Sequence, residues 1–286
     1  MNYLLYNPLS NNGKGDVGKK KAVKELSSQF PDLEEVDYTS ILFEDLAKEL
    51  KPQDNLILCG GDGTLNFFAN DYKSNRIPNG VTIYLYPCGT GNDFVNDLAD
   101  KGINLKLIEL NRYLEKLPKV KVNGKESYFI NNVGFGLDGM VCEVADELKS
   151  KGKKPNYTSI AISLLKGKYE RKNATVTVDG ITKEFKEVWI APAMNGRFYG
   201  GGMKAAPSQD RLSGNLTCAV MFGQSRMHTI KAFSGIFKGT HIKHTEMVEM
   251  ITGKHITVTF DSPCALQIDG ETVLNVTSYE AWVPEE

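Results

Sequence analysis

A chain of 286 residues is long enough for two domains, and 41% hydrophobic with 24% charged residues is the make-up of an ordinary globular protein. A net charge of −1 gives no overall attraction to nucleic acid, which is excluded as an expected partner. Five dispersed cysteines without a CxxC pair argue for reduced thiols in a cytoplasm and against a zinc site. No apolar run approaches the roughly 18 residues of a membrane span, so any membrane contact is expected to be peripheral.

Residues 3–6, YLLY, read as a buried strand, and the turn-rich NPLSNNGKGD follows. Asp16 is placed to N-cap the next helix, whose basic run GKKKAVK reads as a solvated face. FEDLAKEL is expected as a helix, NLILC as a strand, GGDGT as a loop and LNFFANDY as a helix. VTIYLYP, CGTGND and FVNDLA repeat the order strand, loop, helix. Strands alternating with helices argue for βαβ units around a parallel sheet. Beyond residue 118 the segments are rich in Val, Thr, Ile and Tyr, and VNGK and VDGI carry hairpin-type dipeptides. The expected fold is therefore an α/β domain over residues 1–117 and a mostly antiparallel domain over 118–275, with 276–286 a candidate to return to the first. Helices are expected near 140–149, 158–168 and 226–238.

Three strand ends of the first domain carry loops suited to a ligand: NPLSNNGKG, GGDGT and PCGTGND. Glycines let backbone approach closely, and a helix opening after each loop aims unpaired N–H groups at an anion. Thr64 and Thr90 add hydroxyl donors, and phosphate is the natural guest. Asp62 among those glycines repels a bare phosphate and becomes useful with Mg2+ nearby, directly or through water; Asp93 repeats the device one strand later. One such loop alone could be a tight turn, but three in one domain favour a nucleotide cradle.

Asn7–Pro8, GGDGTLN (60–66), GTGNDF (89–94), YFINNVGFGLDGMV (128–141), YGGGMKAAPSQDRLSGNL (199–216) and QIDGE (267–271) occur in one order. This combination resembles the diacylglycerol kinase catalytic-domain family, which includes bacterial soluble lipid kinases and sphingosine kinases. The resemblance spans nearly the whole chain. It implies a diacylglycerol kinase-like and NAD kinase-like α/β nucleotide domain, a β-sandwich-like second domain and an active site in the cleft between them. The implied reaction carries the ATP γ-phosphoryl group to a lipid hydroxyl with Mg2+, most often that of diacylglycerol.

By that resemblance Asp269 looks like the general base and Glu271 its partner. Asn7, Gly60, Gly61, Asp62, Gly63, Thr64, Asn66, Gly89, Thr90, Gly91 and Asn92 look like the nucleotide site. Asp62, Asp93 and Glu109 look like a water-mediated Mg2+ network, and Asp210 with the carbonyls of Leu212 and Pro207 like a structural Mg2+ site. The chain departs from the family at Phe67, where Glu is common, at Glu109, where Asp is usual, and at RLSGNL after Asp210. The implied partners are ATP and a lipid alcohol at a membrane surface, in a cytoplasmic protein peripheral to the membrane; a homodimer is compatible with the chain.

Asp269 and Glu271 lie two apart, so in an extended segment both would leave one face; spacing alone also fits a plain turn with two solvated acids. Asp138 in GLDG reads as a helix cap. The apolar residues Ile160, Ile162, Leu164 and Leu165 read as a packed helix face, with Lys166, Lys168, Arg171 and Lys172 an open basic end. Two alternatives stand beside the lipid kinase: an NAD kinase-type phosphotransferase, disfavoured because Asn131 is followed by Asn132 and no acid, and a non-catalytic nucleotide-binding regulator.

Overall fold

Residues 56–59, all apolar, make β3 (Asn55–Gly60) a strand buried on both faces, as a central parallel strand must be. The structure, a computed structural model, describes residues 1–89, 91–99 and 101–285, the side chains of 11, 12 and 168 excepted. Two compact units, Met1–Leu117 and Pro118–Glu286, divide the chain.

In the first unit β1 (Asn2–Tyr6) is followed by α1 (Ser10–Gly13), α2 (Gly15–Leu26), β2 (Leu33–Asp37) and α3 (Phe43–Glu49). Next come β3, α4 (Asp62–Ser74), β4 (Thr82–Pro87), α5 (Asp93–Leu98), β5 (Ile108–Glu109) and α6 (Asn111–Glu115). The sheet order is β2-β1-β3-β4-β5, parallel except for β5. Alternation along the strands sends Leu4, Ile57, Cys59 and Tyr86 into one core with Ala22 and Leu26 of α2. Tyr38, Phe43 and Phe68 make an aromatic cluster of edge-to-face and tilted rings.

Two local expectations change here. Helix α2 opens at Gly15, because a Cβ there would lie 1.9 Å from the Asn7 carbonyl oxygen. Asp16 therefore sits in the first turn, where a negative charge suits the helix dipole, and does not cap. The edge strand β2 was not anticipated: Glu34 and Glu35 are exposed and mask its short pattern.

The second unit holds β6 (Lys119–Val122), β7 (Lys125–Tyr128), β8 (Asn132–Phe135), α7 (Leu137–Ser150) and α8 (Tyr157–Ser163). It continues with β9 (Lys172–Val178), β10 (Ile181–Ile190), β11 (Ala193–Met194), β12 (Leu216–Phe222) and α9 (Arg226–Ser234). It ends with β13 (Val248–Gly253), β14 (His255–Ile268) and β15 (Glu271–Trp282). Among the described residues every strand pairing in this unit is antiparallel, and the sheet closes on itself because β9 pairs both β10 and β14. The ring β14-β8-β11-β12-β10-β9 is thus a barrel core, filled by Phe135, Val176, Val188, Val220, Val258, Leu266 and Tyr279. The last strand does not return to the first sheet. Residues 276–282 belong to β15, which pairs with β14 and β6 because its inward side chains, Val276, Tyr279 and Ala281, complete the barrel core.

Helices α7, α8 and α9 cover Trp189, Ile190 and Met221 in a second apolar cluster. Ile160, Leu164 and Leu165 are buried in it and Ile162 is exposed. Arg171 pairs with Glu187, and Lys172 donates to Ser262 Oγ at 2.7 Å. Among the described residues no helix is long and apolar enough to cross a membrane.

Candidate active site

β1 lies between β2 and β3, so the chain's connections run to opposite sides of the sheet there. In an open α/β sheet the carboxyl ends at such a reversal are where ligands bind. The loops after β1, β3 and β4 are the three singled out by sequence. Asn7 sits in the first, its Oδ1 accepting from Leu9 N at 2.8 Å.

The glycines of the next two loops serve first to bring the loops together. A Cβ on Gly61 would lie 2.8 Å from Gly89 Cα, and one on Gly89 would lie 2.5 Å from Gly61 Cα. Gly60 leaves room for the buried Thr64 side chain, and Gly63 faces open space. The first helical bond of α4 runs from Leu65 N to Gly61 O at 3.0 Å, so the amides of Asp62, Gly63 and Thr64 precede the ladder. Such N–H groups at a helix start face an anion. Asn66, one turn further, has its carbonyl taken by Asn70 Nδ2. Asn92 adopts a left-handed φ of 48° and donates to Gly89 O at 2.9 Å, which turns the chain into α5. Gly91 is exposed beside it. Thr90 lies outside the described residues.

Asp62 does something its sequence did not suggest. Its Oδ2 accepts from Asp93 N at 2.8 Å and its Oδ1 from Phe94 N at 3.0 Å. The carboxylate thereby caps α5 and ties the second loop to the third. Asp93 is buried directly beyond it. Glu109 does not join them. It is exposed on β5, opposite Tyr84, three residues or about 10 Å back along β4 from Pro87. The antiparallel direction of β5 is the reason. Among the described residues no three acidic, His or Cys side chains are grouped to hold a metal.

In the second unit Asp269 is held by backbone. Its Oδ2 accepts from Ile130 N at 2.5 Å, and its Oδ1 from Asn131 N and Asn132 N at 2.8 and 3.0 Å. The expectation that Asp269 and Glu271 share a strand face fails. Ile268 pairs with Glu271, and Asp269 and Gly270 have φ of 48° and 97°, the signs of a type I′ hairpin turn. Asp269 is half-buried and turned into the β8 entry, whereas Glu271 is exposed on β15. Gln267 Oε1 accepts from Gly270 N at 2.7 Å and fixes the turn.

Arg211 is the residue that sequence reasoning missed. Its buried guanidinium donates to Ile130 O at 3.2 Å and to Asn131 Oδ1 at 3.1 Å, bracing the segment that binds Asp269. Asn195 Nδ2 donates to the same Ile130 O at 2.8 Å. The departure from the family at RLSGNL, which begins with this Arg, is the sequence signal pointing there.

Asp210 is exposed, and its Oδ1 accepts from Leu212 N at 3.2 Å. The set that the resemblance implies, this carboxylate with the carbonyls of Leu212 and Pro207, would be all oxygen with a single charge. That chemistry fits a hard divalent cation that keeps several of its waters.

Phe67 is exposed, and its ring packs edge-on against Tyr38 at 5.4 Å, so the side chain in the family's carboxylate position serves an aromatic contact. Asp138 does not cap α7. It is buried, its Oδ1 accepts from Tyr199 OH at 2.8 Å, and Oδ2 has no hydrogen-bond partner among the described residues. Burial pushes its pKa up to about 7, against the opposing pull of the Tyr199 hydroxyl.

Residues 2–122 match the model of the diacylglycerol kinase catalytic domain, and residues 131–286 match that of the YegS C-terminal NAD kinase beta sandwich-like domain. The chain belongs to the diacylglycerol kinase catalytic-domain family. A Mycobacterium tuberculosis protein named diacylglycerol kinase is 26% identical over 272 residues, covering 91% of this chain and 84% of that protein. A Staphylococcus epidermidis relative is 31% identical over 273 residues, with the same two coverages. The crystal structure of a Bacillus anthracis diacylglycerol kinase shares the fold, with a TM-score of 0.69 at 22% identity, over all of this chain and 94% of that one. Its relatives are diacylglycerol and lipid kinases of this family.

Proposed function

We propose that the protein is an ATP- and Mg2+-dependent lipid kinase acting on diacylglycerol or a related lipid alcohol. The observation that carries the reading is the seating of Asp269, whose carboxylate three consecutive backbone amides hold at a fixed orientation. The Asp179-Gly180 turn holds its carboxylate in a like way, through Lys254 N and His255 N, so the seating supplies the orientation and the family match supplies the role. Support also comes from the M. tuberculosis relative, named for diacylglycerol.

In this reading the amides at the start of α4 and the Gly61–Gly89 contact cradle the triphosphate. Mg2+ would neutralise charge on the phosphate oxygens, with Asp93 the residue that would hold it through water, and Asp210 would hold a separate, structural Mg2+. The acceptor hydroxyl oxygen forms a bond to the γ-phosphorus as the bond to the β–γ bridging oxygen breaks. The hydroxyl proton passes to Asp269, which needs only to be positioned, since phosphoryl transfer asks little covalent work of the protein. Glu271 lies exposed two residues on, at the start of β15.

The test is transfer from γ-labelled ATP with Mg2+ to a panel of lipid alcohols in mixed micelles, with products separated by chromatography and NAD included as an acceptor. Labelled phosphatidic acid, or another labelled lipid phosphate, is expected. Label on NAD alone, or on nothing, contradicts the reading.

A further inference from the structure

Cys59 stands on the last turn of the pleat of β3, and Cys88 directly follows β4. Their Sγ atoms are 3.2 Å apart, the one sulfur–sulfur contact among the described residues. All five cysteines of the chain are free thiols. Cys88 N donates to Gly60 O at 2.9 Å, which locks the register of the pair. Helix α2 closes over them: a Cβ on Gly18 would lie 2.8 Å from Cys88 Sγ and 3.5 Å from Cys59 Sγ. Cys59 is buried and Cys88 only half so.

We propose that Cys59 and Cys88 are a peroxide-oxidisable dithiol, a modification site whose disulfide joins the two strand ends that carry the phosphate loops. The asymmetry of the pair sets the order of events. Cys88 is the more accessible, and the bond from Cys59, with Lys21 nearby, holds its pKa below the usual thiol value. The same bond and burial push Cys59 up.

The Cys88 thiolate attacks one oxygen of hydrogen peroxide, breaks the O–O bond and becomes a sulfenic acid; the departing hydroxide takes up a proton as water. Cys59 sulfur then attacks the Cys88 sulfur, displacing the sulfenic hydroxyl, which leaves as water with the Cys59 proton. Two thiols and one peroxide give one disulfide and two waters, and the two electrons pass from sulfur to peroxide. A disulfide bond of about 2.05 Å brings the sulfurs about 1.1 Å closer than they now stand.

Cys59 is two residues before Gly61, and Cys88 is one before Gly89. The Gly61–Gly89 contact has no slack, since even a Cβ on either glycine would fall within 3 Å of the other's Cα. The disulfide therefore displaces the loops. This last step rests on the proposed nucleotide site; the cross-link itself does not.

The full-length reduced protein is treated with hydrogen peroxide, alkylated, digested and mapped, beside C59S and C88S variants. The expected result is a fall from five free thiols to three, a Cys59–Cys88 linked peptide, reversal by dithiothreitol, and a Cys88 sulfenic acid trapped by dimedone in C59S. ATP binding by the oxidised protein is expected to weaken by about tenfold, with C88S unaffected by peroxide. Retention of all five thiols, or Cys88 advancing to sulfinic acid with Cys59 unlinked, overturns the dithiol. A cross-link that leaves ATP affinity unchanged overturns its effect on the loops. Absence of ATP binding in the reduced protein refutes the nucleotide reading and leaves the cross-link standing.

Discussion

Asp62 accepts the backbone N–H of Asp93 at 2.8 Å, across 31 positions of sequence. With the second bond from Phe94 N, this joins two glycine loops that sequence presents as separate phosphate binders. The carboxylate among glycines is then first a cap on α5. Any role toward Mg2+ uses the lone pairs those two amides leave.

Asp62→Ala removes both acceptors from α5. Unfolding stability is expected to fall by about 1–2 kcal/mol, the range of a lost charged cap. Nucleotide affinity should fall with it, because the Gly61–Gly89 contact loses its tie. Asp62→Asn keeps one acceptor and should lie between the two. Thermal unfolding and ATP titration of the three proteins check this, and a variant as stable as wild type contradicts the capping role.

Arg211 is buried, and its guanidinium donates to Ile130 O and to Asn131 Oδ1. Arg211→Met leaves Ile130 O short of one donor and Asn131 Oδ1 short of another, at an expected cost of about 1.5–3 kcal/mol. Turnover is expected to fall further than the loss of folded protein explains, since residues 130–132 also hold Asp269. Turnover per folded molecule equal to wild type would contradict the bracing role.

Asp138 gives a pH dependence of unusual sign for an acid. Its pKa is about 7 in the folded protein and 3.8 when unperturbed. Between those values the folded state binds the proton and the unfolded state does not. Its contribution to stability is therefore full below pH 4, lost as pH rises to 7, and at most about 4 kcal/mol. Asp138→Asn keeps an acceptor for Tyr199 OH and removes the titration. Relative to wild type the variant should be more stable at pH 8 than at pH 4, read from urea unfolding midpoints; an equal difference at both pH values contradicts it.

Strands that are buried on both faces announce themselves, and β3 and β4 with their glycine loops were legible for that reason. What was not legible depends on tertiary contact. Nothing in GGDGT says that its acid will reach the amides of the helix that follows the next strand. Glu109 sits on a strand whose direction reverses, and direction is not written in the dipeptide Ile108-Glu109. Asp269-Gly270 is the same kind of dipeptide as Asn123-Gly124 and Asp179-Gly180, with positive φ at both residues, and the hairpin could have been read from it as from the others. Arg211 is invisible because burial of a guanidinium follows from acceptors supplied by residues 80 positions away.

The central claim is that Asp269 takes the proton of a lipid hydroxyl as phosphate is transferred. Its direct test is single-turnover transfer from γ-labelled ATP to diacylglycerol in mixed micelles, comparing wild type with Asp269→Asn at matched folded concentration. Asn is at home in a type I′ turn, although its amide group faces one of the three N–H donors, at an expected stability cost of about 1–3 kcal/mol. The account predicts labelled lipid phosphate from wild type, a fall of about 100-fold or more in the variant, and ATP affinity within about twofold. Equal transfer by the two proteins contradicts it.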